Sequence, residues 1–261
     1  METIITLTSY PNRFTDERFF TVLSSLVGQK DCGTVKICLT LFVGDLLQLT
    51  EPLIRFIQEH DIEILCSNVN RKAYLKFLLT AEKYGETADI ITVDDDVVYE
   101  SNMASCLLAA KKKYPHCILA GRVHQILYDG NMPKPYKQWK LDCVEFIEEP
   151  CDDLMATGVG GVLYPKGFFN KSRLAMIEKL MGTCPTNDDF PLTKVAIDGK
   201  FKRVLIPNPL KPYKRNCGFF GVELEQDLNN KFNQDALCQL NVFEHKNDEF
   251  LYILAKSGGA K

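Results

Sequence analysis

A chain of 261 residues, 46% hydrophobic and 25% charged, is long enough to bury a substantial core without disulfides or metal staples. Its formal net charge of -3 argues against nucleic acid as a partner, because such proteins carry a basic excess, although a local basic patch around a phosphate-bearing ligand stays compatible. Its ten cysteines are scattered without Cys-x-x-Cys spacing, and several, such as Cys38 and Cys66, lie in apolar runs. They read as buried free thiols rather than a zinc site.

Residues 3–8 (TIITLT) are β-branched and apolar and read as a strand stopped by Ser9-Tyr10-Pro11. They begin with no basic leader, and no apolar run nears the roughly 20 residues of a membrane span. The expectation is a reducing, cytoplasmic setting, with peripheral contact at the inner face of a membrane left open. Thr15 is placed to cap a helix carrying Asp16 and Glu17 in its first turn, Phe19, Leu23, Leu26 and Val27 at helical spacing, and Gly28 at its end. Residues 35–43 are a long strand pattern. Thr50-Glu51-Pro52 opens a second helix with Leu53, Ile54 and Ile57 inward, and residues 62–66 read as a third strand. Residues 73–84, closed by Gly85, form a third helix. A fourth strand, 89–93, runs directly into Asp94-Asp95-Asp96; Ser101 then caps a helix reaching Lys113, and residues 117–120 are a short strand. This alternation predicts an α/β fold, a mostly parallel central sheet with helices on both faces. Ligands of such sheets bind at the carboxyl ends of the strands, where Ser9-Tyr10 and the aspartate run would meet.

The second half is less regular. Residues 121–156 carry Pro133, Pro135, Pro150 and the only tryptophan, Trp139, and read as long loops with short elements. Residues 157–161 (TGVGG) lead into a strand at 162–164. Helices are expected at about 171–180, 189–199 and 227–240, a strand at 202–206, a loop at 208–212 and a disordered tail at 257–261. With no repeat and no clear linker, one composite domain over 1–261 is the simplest division.

Three adjacent carboxylates after a buried-type strand raise one another's pKa unless something neutralises them. A divalent cation would do so. Hard oxygen ligands suit Mg2+ or Mn2+, ions that bind through one or two carboxylates plus substrate phosphates. In an extended segment Asp94 and Asp96 share a side and Asp95 takes the other, turned inward or toward a ribose. The competing reading is a solvated acidic turn.

Residues 92–99 (TVDDDVVY) resemble the Asp-x-Asp region of GT-A glycosyltransferases. Residues 5–13 (ITLTSYPNR), 157–165 (TGVGGVLYP) and 184–189 (CPTNDD) are similar, in the same order, to segments of a bacterial, family-2-like subgroup of these enzymes. The resemblance implies a GT-A (Rossmann-like) fold with a nucleotide-binding half, 1–120, and an acceptor-binding half, 121–256. It places Thr8, Ser9 and Tyr10 beside the nucleotide, Tyr10 against the base and Arg13 toward the pyrophosphate; a turn at Tyr10-Pro11 and an Arg13–Asp16 pair are the structural alternatives. Lys72 and Lys76, near a helix N-terminus that favours anions, fall on the phosphate side, or form a solvated basic face; Leu75 departs from the subgroup's usual lysine. Asp94 and Asp95 would face the nucleotide sugar, with Gly160 and Gly161 beneath the donor sugar or the acceptor. Asp94 and Asp96 would hold the metal, joined by His245 in the manner of many GT-A enzymes. Asp188 or Asp189 would be the general base of an inverting transfer, Asp188 preferred, unless Asp188 or Asn187 only caps the helix. His124 reads as structural or as lining the acceptor loop, and Tyr136 with Trp139 as a sugar platform or ordinary packing.

The implied activity is transfer of a sugar from a nucleoside diphosphate sugar, UDP-sugar favoured, to a hydroxyl of a glycan or lipid-linked acceptor, with Mn2+ or Mg2+ as cofactor and surface polysaccharide biosynthesis as the setting. The alternatives are a metal-dependent sugar nucleotidyltransferase and a non-catalytic nucleotide-sugar- or glycan-binding module. The absence of glycine from residues 9–13 counts against the first, and the intact acidic clusters count against the second.

Overall fold

The computed structural model describes residues 2–185, 187–209, 221–223, 238–239 and 242–243. The tail at 257–261 and His245 lie outside these residues, as do Cys217 and the expected helix at 227–240 apart from Cys238 and Gln239. In chain order the first half runs β1 (Thr3–Thr8), α1 (Glu17–Val27), β2 (Val35–Phe42), α2 (Glu51–Glu59), β3 (Glu63–Ser67), α3 (Leu75–Tyr84), β4 (Asp89–Thr92), β5 (Val97–Tyr99), α4 (Met103–Lys113) and β6 (Ile118–Ala120). There follow β7 (Val123–Gln125), β8 (Tyr128–Asp129), β9 (Met132–Pro133), β10 (Leu154–Ala156), β11 (Val162–Tyr164), α5 (Lys171–Met181), α6 (Asp189–Asp198), β12 (Arg203–Leu205) and β13 (Gly221–Glu223).

Seven strands form the main sheet in the order β12-β6-β11-β4-β1-β2-β3. Every neighbouring pair is parallel except those of β11, which runs antiparallel to both β4 and β6. The strands bury both faces, and their period of two sorts the core into two layers. Leu7, Ile91, Leu119, Leu163 and Val204 pack with α1, α2 and α4. Ile90, Ile118, Val162, Tyr164 and Leu205 pack with α3, α5 and α6. The expected mostly parallel α/β sheet with helices on both faces is the observed one.

Local departures have physical reasons. Asp16, not Thr15, caps α1, its carboxylate accepting the Arg18 N–H. The cap residue before α4 is Asn102, without a side-chain cap bond, rather than Ser101. Ile54 is 39% exposed, because Leu53 and Ile57, one turn apart, define the buried stripe of α2 and Ile54 falls beside it. The unforeseen β5 is only three residues long and pairs antiparallel with the distant β13. Between β6 and β11 two small ladders form, β7 with β10 and β8 with β9. Trp139 and Tyr136 are not a surface platform. Both are buried, edge-on to each other and to Phe190, and the indole N–H donates to the Lys134 carbonyl. His124 is buried too, its Nδ1 accepting the Asp142 N–H. The nine described cysteines are free; Cys66, on the edge strand β3, is exposed rather than buried. Among the described residues no helix is long and apolar enough to cross a membrane.

Two buried threonines fix α3 against the sheet. Thr6 Oγ1 donates to the Lys76 carbonyl at 2.6 Å and meets Thr80 Oγ1 at 2.7 Å. Thr40 Oγ1 lies 2.6 Å from the Leu75 carbonyl and 3.1 Å from that of Leu7. A hydroxyl buried in the sheet has no water to turn to, so it takes the first turn of α3 as partner and sets its height. Thr6→Val, similar in shape, is expected to cost about 1–2 kcal/mol, read as a lower urea midpoint at unchanged slope. A change below about 0.3 kcal/mol would show that these hydroxyls do not pin the helix.

Candidate active site

The carboxyl ends of β1, β2, β3 and β4 open onto one cleft of about 310 Å3. β1 ends in Thr8, Ser9 and Tyr10; Asn70, Lys72, Ala73, Leu75 and Lys76 come from the passage into α3; Val93, Asp94 and Asp95 follow β4; and Asp45 follows β2. Thr8, Ser9, Tyr10, Lys72, Lys76, Asp94 and Asp95, all named from the sequence, therefore share one cavity wall. Asp45 and Asn70 were missed. Their signal was topological, since each follows a parallel strand at its carboxyl end. Tyr10 stands 47% exposed at the cleft, with the Arg13 guanidinium 5.4 Å from its ring centre. Lys72, also exposed, holds a left-handed φ of 51°. The Asn70 side-chain oxygen stabilises this bend by accepting the Lys72 N–H at 3.0 Å.

The aspartate run is already partly neutralised by basic side chains. Ser9 Oγ donates to Asp95 Oδ2 at 2.6 Å, and Arg13 Nε lies 3.2 Å from the same oxygen. Arg13 Nη2 is 3.4 Å from Asp96 Oδ2. Lys76 Nζ reaches Asp94 Oδ1 at 2.7 Å and Asp188 Oδ2 at 3.1 Å. The second contact is one of charge rather than an aligned hydrogen bond. The Tyr99 hydroxyl accepts the Asp94 N–H at 2.9 Å and lies 3.3 Å from the Val159 carbonyl, fixing the backbone of the run. Burial pushes the Asp95 carboxyl up to about 6, against the opposing pull of Arg13 and Ser9. Burial works against the Lys76 ammonium, but Asp188 and Asp94 outweigh it and hold the group above the usual lysine value.

The second acidic pair opens α6. Asp188 holds the cap position, but Asn187 before it supplies the capping bonds, its side-chain oxygen accepting the N–H groups of Asp189 at 2.9 Å and Phe190 at 3.3 Å. Asp188 makes no side-chain cap bond, so both carboxylates are spared that duty. Asp188 is buried against Lys76. Asp189 is partly exposed and accepts the Gly158 N–H at 3.1 Å. Burial, then the neighbouring charge of Asp188, pushes the Asp189 carboxyl up to about 7. Burial likewise raises Asp188, against the pull of Lys76.

The three glycines of 157–161 do different jobs. A Cβ on Gly158 would fall 2.7 Å from Lys76 Nζ and 3.0 Å from Asp94 Oδ1, so this backbone roofs the ion pair. A Cβ on Gly160 would strike the Arg122 backbone at 2.5 Å, and Gly161 holds φ of 77° beside Met103. Gly160 and Gly161 thus serve the path of the chain, and Gly158 is the glycine that faces the carboxylates.

Asp94 and Asp96 present hard oxygen donors with side chains 27% and 30% exposed, against 16% for Asp95. Among the described residues no three His, Cys, Asp or Glu side chains converge as a ready metal cluster. A Mg2+ or Mn2+ ion needs none when one or two carboxylates are completed by ligand oxygens and water, so the donor set fits such an ion.

No known family profile matches the sequence, and no curated protein matches it. Solved structures do match in fold. Residues 1–349 of S. aureus TarS, crystallised with UDP, superpose with a TM-score of 0.54 at 11% identity, over 100% of this chain and 76% of that one. The longer TarS chain is spanned over 35% of its length. The mannosyltransferase PcManGT from Pyrobaculum calidifontis, in complex with GDP-Man and Mn2+, superposes with a TM-score of 0.52 at 14% identity, over 98% of this chain and 68% of that one. At these identities the likeness establishes the architecture: a GT-A-type, Rossmann-like α/β fold.

Proposed function

We propose that the chain is a metal-dependent glycosyltransferase that moves a sugar from a nucleoside diphosphate sugar, UDP-sugar favoured, to a hydroxyl of a glycan or lipid-linked acceptor. The observation that carries this reading is that Tyr10, Lys76, Asp94 and Asp95 line one strand-end cleft, with Asp96 next in the chain and Asp188 tied to Asp94 through Lys76. The partners of the related folds, UDP for TarS and GDP-Man with Mn2+ for PcManGT, agree with it.

In this reading Tyr10 stacks on the base, and Thr8 and Ser9 line the nucleotide side. Asp45 accepts but cannot donate, which suits a base with a ring N–H such as uracil. Asp95, held by Ser9 and Arg13, faces the ribose. Lys72, exposed at the cleft, offers its charge to the phosphates. Mn2+ or Mg2+ held by Asp94 and Asp96 would neutralise the departing diphosphate. His245, outside the described residues, remains a proposed further ligand. The acceptor oxygen attacks the anomeric carbon, its proton passes to a carboxylate, and the bond from that carbon to the diphosphate breaks with inversion. Asp189 suits the proton transfer better than Asp188, because it is the more exposed of the two and burial, with the charge of Asp188, pushes its carboxyl up to about 7.

Calorimetry with UDP, GDP and CDP, with and without Mn2+, tests the donor side. One nucleotide is expected to bind in a metal-dependent manner, and Asp96→Asn to weaken it at least about tenfold. A folded protein that binds none of the three would sink the reading. Asp189→Asn tests the base. Its kcat is expected to fall about 100-fold or more with KM little changed. The same variant has a signed effect on stability. Because folding raises the Asp189 pKa, its stability contribution is fully present below about pH 4 and is lost as pH rises through about 7. Asp189→Asn removes that loss. It should therefore match the wild type near pH 4 and exceed it at pH 8 by on the order of 2 kcal/mol, read by thermal unfolding. A variant less stable than the wild type at pH 8 would contradict this assignment.

A further inference from the structure

Lys76 enters α3 at its first turn, and its backbone is held to the sheet by Thr6. Its side chain is 7% exposed and its ammonium lies between Asp94, after β4, and Asp188, before α6. Gly158 closes the space above it, leaving no room for a Cβ. One buried positive charge therefore serves two carboxylates from separate elements, and the three groups together carry a net negative charge. A buried ammonium in this position cannot swing away without giving up both ion pairs.

We propose that Lys76 is a positioning residue rather than a phosphate ligand: a shared internal counter-ion that competes with the divalent cation for Asp94 and passes to Asp188 when the cation takes Asp94. The inference rests on the metal site of the proposed function. The ammonium is already within 3.1 Å of Asp188, so the exchange needs a redistribution of contacts and no large movement. Its consequence is linkage. Occupancy at the donor side tightens the Lys76–Asp188 pair, and Asp188 is the neighbour whose charge acts on Asp189. Filling one half of the site thereby conditions the other.

The test is Mn2+ affinity of the nucleotide-free protein, followed by electron paramagnetic resonance, with folding checked by near-UV circular dichroism. Lys76→Met frees Asp94 from its competitor, so Mn2+ should bind at least about fivefold more tightly. Asp188→Asn leaves Lys76 wholly to Asp94, so Mn2+ should bind at least about threefold more weakly. Lys72→Met, which removes a positive charge from the same cleft without touching the bridge, should change affinity by less than about twofold. Lys76→Met binding Mn2+ no more tightly than the wild type overturns the proposal, as does absence of Mn2+ binding in both. If Lys76→Met does not fold, Asp188→Asn decides alone, and unchanged or tighter binding overturns it. UDP titrations of the same proteins separate this inference from the reading beneath it. The expected Mn2+ shifts without nucleoside diphosphate binding would uphold the counter-ion and remove the glycosyltransferase. Nucleotide binding that is lost in Lys76→Met with no gain in Mn2+ affinity would return Lys76 to the phosphate.

Discussion

A single buried ammonium organises the acidic end of this sheet. Without Lys76, Asp94, Asp188 and Asp189 would meet at the ends of β4 and α6 with their mutual repulsion less offset. With it, two carboxylates on elements far apart in sequence are drawn to one point. The threonines beneath α3 and the glycine above the ammonium follow from this constraint. The first fix the height at which the lysine leaves the helix, and the second leaves room for its tip. Arg13 does comparable work for Asp95 and Asp96 from the β1 side. The cluster is thus flanked by cations from both β1 and α3, and its most exposed carboxylates are the two on which a metal reading depends.

The buried position of the lysine also explains why the acidic groups differ. Asp188 is committed to Lys76, while Asp189 is held by a backbone N–H, which orients a carboxylate without adding a full positive charge. Two adjacent residues of one type thereby have different chemical characters, set by partners and not by sequence position.

Much of the fold was legible in the sequence. Strand and helix periods alternate clearly through the first half, and the carboxyl-end rule alone brings residues 8–10 and 94–96 to one edge of the sheet. What escaped was decided by tertiary contact. Thr15 and Asp16 are both good caps, and only the path of the chain chooses between them. β5 exists because β13 pairs with it, and three residues carry no period of their own. The glycines at 158, 160 and 161 look alike in sequence, yet one faces an ion pair, one a neighbouring backbone and one a left-handed bend. Lys76 was legible as a basic residue near a helix start. Its burial between two carboxylates was not, because one of them lies beyond the whole irregular segment. Trp139 likewise gave no sign of whether its ring met solvent or Phe190.

The reversed strand β11 has a consequence for how the molecule comes into being. It lies between β4 and β6, although it follows both in the chain. When β6 leaves the ribosome the sheet cannot yet close, since the edge of β4 waits for a partner still to be made. Only when residues 162–164 arrive is that hydrogen-bonding edge filled, and because β11 enters antiparallel to β4, with Val162 opposite Thr92, the segment carrying Gly158 is delivered to the acidic run in the same event. A polypeptide stopped after residue 120 would retain the Tyr10 wall and the three aspartates, yet it would present a bare strand edge prone to pairing with other chains. The late strand thus joins the bridging of β4 and β6 to the closing of the roof over Lys76, and a chain stopped before it has neither.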